Sequence, residues 1–167
     1  MGLVKIGFSE TVIFQTSEPI KIEFLEFLPN VIYKKSGYNY SLGRADSGCF
    51  LKPSFDKKSN RNSFLPEVNI DLQNEGDRHF LRIKGEPVKG ARIFMKIWLA
   101  FSCLIEIIGI IAVALAGIDN LVFVVLPVVV ALFGYSFFKI VTKVTFKAIL
   151  EAIQKELSHD GIACIRV

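Results

Sequence analysis

Glu106 stands where an acid is expensive. It lies near the middle of an apolar run, Ile97 to Gly117, whose other polar interruptions are Ser102 and Cys103. At about 1.5 Å per residue a helix of that length reaches roughly the 30 Å of a bilayer's hydrocarbon core. A charge at the middle of that core costs at least about 2.5 kcal/mol. Helical spacing sets Ser102, Glu106, Gly109, Val113 and Ala116 on one face. Most of these are small residues, and a small-residue stripe lets a second helix approach closely. The acid is therefore expected to face protein rather than lipid.

Two kinds of chemistry are open to such a carboxyl. It can relay a proton or ion, or pair with a cation on another subunit. It can instead hold a structural hydrogen bond in its protonated form, to a hydroxyl or a carbonyl. A second apolar run, Leu121 to Ile140, follows Ile118-Asp119-Asn120 and must return antiparallel to the first. Counting by equal rise from that turn sets Leu132 to Ser136 opposite Glu106, with Tyr135 and Ser136 as hydroxyl partners and Ala131 and Gly134 as room beside them. Glu106, Tyr135, Ser136 and Ser102 thus form the candidate intramembrane polar site. A single acid with no second ionisable group in the membrane makes a poor conduction path, which favours the structural role. Pro127 frees the carbonyl of Phe123 and is expected to kink the second helix.

The basic residues suggest a different contact. Lys84, Lys89, Arg92 and Lys96 precede the first run, Lys139, Lys143 and Lys147 close the second, and the turn between carries no Lys or Arg. That asymmetry places both termini in the cytoplasm. It also makes Lys84, Lys89, Arg92, Lys96, Lys139 and Lys143 candidates for contact with anionic lipid headgroups. Lys57 to Asn62 is a polar loop in which Asp56 dilutes the charge.

Several classes are disfavoured. The chain holds no GxSxG, Walker loop, GxGxxG or HExxH pattern, and His79 and His159 have no acid or Cys at ligand spacing. Cys49, Cys103 and Cys164 show no CxxC or CxxH spacing and read as free thiols in a reducing compartment. No catalytic residue, cofactor, metal or nucleic-acid partner is expected. Ile6 occupies the place where a myristoylation signal wants Ser or Thr, and Asn39-Tyr40-Ser41 in a cytoplasmic segment does not meet the glycosylation machinery.

Of the chain's 167 residues, 51% of them hydrophobic, roughly 95 precede the apolar runs, and only this front part is long enough for its own core. Strands are expected over residues 3–8, 11–15, 31–33, 38–42, 48–55, 64–72 and 79–84, where β-prone runs are separated by Gly, Asn, Asp and Ser. Gly76 offers a positive φ for a hairpin between the last two. Thr16-Ser17-Glu18-Pro19 is a helix-start signature before Ile20 to Leu28, with Pro29-Asn30 as its stop; alternation at Ile20, Ile22 and Phe24 leaves a strand open as the alternative. After the apolar runs, Phe146, Ile149, Leu150, Ile153 and Leu157 mark one stripe of an amphipathic helix ended by Asp160-Gly161. That stripe packs on the sheet or lies on the bilayer, and its mixed-sign polar face favours the sheet. Residues 162–167 add an edge strand. The expected fold class is α+β: a small antiparallel β-meander with one covering helix (1–92), a two-helix transmembrane hairpin (93–141) and a C-terminal amphipathic helix and tail (142–167).

From Arg61 onward the chain resembles a family of small, uncharacterised bacterial membrane proteins with two transmembrane helices and a β-rich cytoplasmic domain. The residues that carry the likeness are Arg61-Asn62-Ser63-Phe64-Leu65-Pro66 and Phe94-Met95-Lys96-Ile97-Trp98, in the same order of elements. The chain departs from the pattern at Ile70, where a Gly is expected, and at Asp77-Arg78-His79, which replaces a Gly-Thr pair. The resemblance implies a membrane-anchored α+β domain in a bacterium and assigns no activity. Trp98 suits an interfacial belt. The expected function is a non-enzymatic inner-membrane protein whose hairpin holds the α+β domain at the bilayer, its partners being lipid, a second copy or another membrane protein. The rival is a subunit of an oligomeric transport or channel complex that gathers several copies of Glu106.

Overall fold

The computed structural model describes residues 9–45, 47–54, 64–117 and 121–167. The strand expected at 3–8, the polar loop at 57–62 with Arg61-Asn62-Ser63 of the family-like motif, and the turn at 118–120 lie outside the described residues. The described elements are β1 (Glu10–Thr16), α1 (Ile22–Ser36), β2 (Tyr40–Ala45), β3 (Gly48–Pro53), β4 (Pro66–Glu75), β5 (Arg78–Pro87), α2 (Lys89–Ala116), α3 (Val122–His159) and β6 (Cys164–Arg166). They divide into two compact units. One contains Lys89–Ile140; the other contains the described residues up to Val88 together with Val141–Val167. The helix α3 contributes to both.

In the second unit all six strands form one antiparallel sheet in the order β2-β3-β4-β5-β1-β6. β2 to β5 are the expected meander, and Gly76 turns the β4–β5 hairpin at φ 60°. Alternation does the rest: Cys49, Ile70, Ile83 and Val12 stand opposite one another in a row across four strands, all buried on the same face. The other face carries Phe50, Asn69, Lys84 and Thr11 in the neighbouring row. Pro66 is not in an edge strand or a bulge. β4 is interior, and Pro66 is its first residue, where no ladder N–H is required.

Two helices cover the sheet, not one. α1 runs through Pro29-Asn30 to Ser36, so the strand expected at 31–33 is its continuation. Leu25, Leu28 and Ile32 recur at helical spacing and are fully buried in the core, which outweighs the one backbone bond that Pro29 removes. The helix stops at Gly37, whose φ of 74° suits a left-handed cap and whose N–H donates to the Tyr33 carbonyl at 2.8 Å. It starts from Lys21 rather than from the Thr16–Pro19 signature; Thr16 Oγ1 instead donates to the Glu18 carbonyl at 2.9 Å as the chain leaves β1.

The second covering element is the C-terminal part of α3. Phe146, Ile149, Ile153 and Leu157 are buried in the same core as the sheet residues, so the stripe packs on the sheet. Lys35 of α1 pairs with Glu151 at 3.2 Å. The Phe146 ring stands over Gly85 of β5, where a Cβ would come within 2.4 Å of it. Gly161, at φ 78°, closes α3, and the Ile162 N–H donates to the Leu157 carbonyl at 2.9 Å.

Candidate functional site

The other unit is built from two helices that are long and apolar enough to cross a membrane. Only 11% and 6% of their most apolar windows are buried. Ile97, Phe101, Leu104, Ile107, Ile108, Leu126, Leu132 and Phe133 are each more than half exposed. Monomeric soluble proteins rarely expose a contiguous apolar surface of this extent.

The less exposed side of α2 carries Trp98, Ser102, Glu106, Gly109 and Val113, and four of these are the stripe read from spacing. On α3 the less exposed positions are Val124, Pro127, Ala131, Gly134, Tyr135 and Phe138. Two contacts set the register between the helices. A Cβ at Gly109 would lie 2.4 Å from the Phe123 carbonyl oxygen, and one at Gly134 would lie 3.1 Å from the Trp98 indole nitrogen. Moving three residues along each chain from the first contact brings Glu106 level with Leu126 and Pro127.

This level differs from the one counted from the turn. Equal counting assumes that both helices begin at the same height, but α2 continues to Ala116 while Phe123, one residue into α3, is already level with Gly109. Tyr135 and Ser136 therefore sit near the level of Trp98, about two helical turns from Glu106. Ser136 is exposed and Tyr135 half-buried. Ser102 is buried and its hydroxyl donates to the Trp98 carbonyl at 2.9 Å. Glu106 Oε2 is fully buried and has no hydrogen-bond partner among the described residues; the same holds for Trp98 Nε1. Trp98 also stacks on Phe94, with centroids 6.4 Å apart. Spacing brings Ser102 and Glu106 onto one face as read. The part of Trp98 was not read from sequence, although its position four residues before Ser102 was the available signal.

Of the six basic positions, Lys84 lies on the open face of the sheet and pairs with Glu86 at 2.6 Å. Lys89, Arg92 and Lys96 occupy the first turns of α2, which hold no acid. Lys89 and Lys96 are exposed, as are Lys139 and Lys143 on α3. Cations in the first turn of a helix oppose its dipole.

Three groups of the α+β unit are shifted by burial. Burial pushes the Cys49 thiol up to about 11, with Asp71 adding to the effect, and burial also raises the Cys164 thiol. Burial raises the Tyr40 hydroxyl as well. His79 Nδ1 lies 2.9 Å from Asn74 Oδ1. No group of three or more His, Cys, Asp or Glu side chains suited to a metal occurs among the described residues. A groove of about 520 Å³, lined by Glu18, Lys21, Glu23, Phe27, Glu156 and Asp160 among others, opens to solvent beside the start of α1 and the end of α3. No protein-family model, curated protein or solved structure matches the chain.

Proposed function

We propose that this is a bacterial integral inner-membrane protein, α2 and α3 forming a transmembrane hairpin that anchors the α+β unit on the cytoplasmic side for contact with lipid headgroups or a protein partner, without catalysing a reaction. The exposure of the apolar side chains of α2 and α3 carries this reading, because hydrocarbon is the solvent that such a surface fits. The acid-free, Lys- and Arg-bearing start of α2 fits a leaflet rich in anionic lipid. Both termini are cytoplasmic in this reading, since the basic residues flank the two spans and the link between them has none. Extraction with alkaline carbonate tests insertion, and reporters fused at either terminus test orientation. A chain released by carbonate, or a reporter active outside the cell, overturns the proposal.

The unpartnered Glu106 oxygen supports a second reading, an oligomeric transport or channel subunit in which several copies of this acid act together. The mass of the detergent-solubilised protein separates the two, since a strict monomer supplies Glu106 with no other copy. If a transport activity is found, Glu106→Gln keeps a hydrogen-bonding side chain but cannot ionise, and unchanged activity in that variant removes the relay.

A further inference from the structure

The helix pair buries two hydrogen-bonding atoms that no described residue satisfies, and they are of opposite kinds. The Trp98 indole N–H donates and Glu106 Oε2 accepts. They are too far apart to serve each other directly. Positions 98 and 106 share a face of α2 and are separated by about 12 Å along its axis, against about 2.9 Å for an N–H···O bond. Ser102 stands midway, about 6 Å of rise from each. Its hydroxyl hydrogen is committed to the Trp98 carbonyl, so its oxygen lone pairs remain open to donors. A step of about 6 Å is the span of two hydrogen bonds end to end. Across from these positions α3 presents Ala131 and Gly134, and the indole of Trp98 lies against Gly134, where a Cβ would come 3.1 Å from its nitrogen.

We propose that Trp98, Ser102 and Glu106 form an internal hydration site, with one water between Trp98 and Ser102 and a second between Ser102 and Glu106. The first water accepts the indole N–H and donates to Ser102 Oγ. The second donates to Ser102 Oγ and to Glu106 Oε2. Each then has the two to four polar partners that a buried water requires. Water satisfies Glu106 within a single hairpin, with no cation or second subunit needed. The inference rests on the membrane reading only in that lipid surrounds the helix pair.

Trp98 is the one tryptophan in the chain, so ¹⁵N-labelled indole gives a single N–H resonance. The experiment is water-to-indole magnetisation transfer on the full chain in lipid nanodiscs, with carbonate extraction run on the same source membranes. A water cross-peak is expected in the wild type, retained in Glu106→Gln and lost in Ser102→Ala. Absence of the peak in the wild type overturns the hydration site whatever the variants do. A peak unchanged in Ser102→Ala overturns it too, since the indole then meets bulk water. A chain that stays in the membrane without the peak defeats this inference alone; a chain released by carbonate defeats the membrane reading and this one with it.

Discussion

Gly109 of α2 lies against the backbone of Phe123 in α3, so close that a methyl group at Gly109 would fall 2.4 Å from the Phe123 carbonyl oxygen. That carbonyl is the one whose helical donor is missing, because Pro127 has no N–H to return to it. The hydrogen that Gly109 carries in place of a methyl group leaves that close approach open. Pro127 and Gly109 thus act on one oxygen from two helices, which relates the proline to helix packing.

Gly109→Ala is expected to force the helices apart and to destabilise the pair by about 1–3 kcal/mol, the usual range for overpacking. Gly90→Ala in the same helix is the control, since a Cβ there meets nothing within 4 Å. It should leave stability within about 0.5 kcal/mol. Unfolding of both variants by denaturing detergent checks the contrast.

Gly85→Ala is expected to destabilise the α+β unit by about 1–3 kcal/mol, because the new methyl meets the Phe146 ring at 2.4 Å. Phe146→Leu in the same chain should recover part of that loss. A double-mutant cycle on the unfolding midpoint measures the coupling.

Pro29→Ala should stabilise the α+β unit by about 1–3 kcal/mol. The substitution restores an N–H for the Leu25 carbonyl inside a helix that already continues to Ser36. A rise in the thermal midpoint of that unit, read by near-ultraviolet circular dichroism, is the expected result.

The Cys49 thiol, ordinarily near 9 and pushed up to about 11 by burial, should resist alkylation in the folded protein at pH 8 and react once the chain is denatured. Between those two values the unfolded chain has lost the proton that the folded one keeps. Stability is therefore expected to fall as pH rises from about 9 to about 11. Alkylation kinetics in a Cys103→Ser, Cys164→Ser background isolate the effect.

Much of the architecture was legible in the residues themselves. The two apolar runs are a matter of composition, the faces bearing Ser102, Glu106, Gly109 and Val113 or Phe146, Ile149, Ile153 and Leu157 follow from the helical repeat, and the β4–β5 hairpin follows from alternation around Gly76. These are local properties, set by neighbours within a turn or two. Other features depend on residues far apart in the chain, and local pattern could not reach them. The burial of Ile32 against the sheet carries α1 past Pro29, and a glycine–carbonyl contact places Glu106 beside Leu126 and Pro127 rather than near Tyr135. β1 lies between β5 and β6 because Val12 and Phe14 extend the buried rows that pass through Ile83 and Leu81 of β5. Periodicity tells a residue which side of its own element is apolar; only the packed chain decides which partner that side meets and at what height, because that choice depends on the fit of surfaces brought together from distant parts of the sequence.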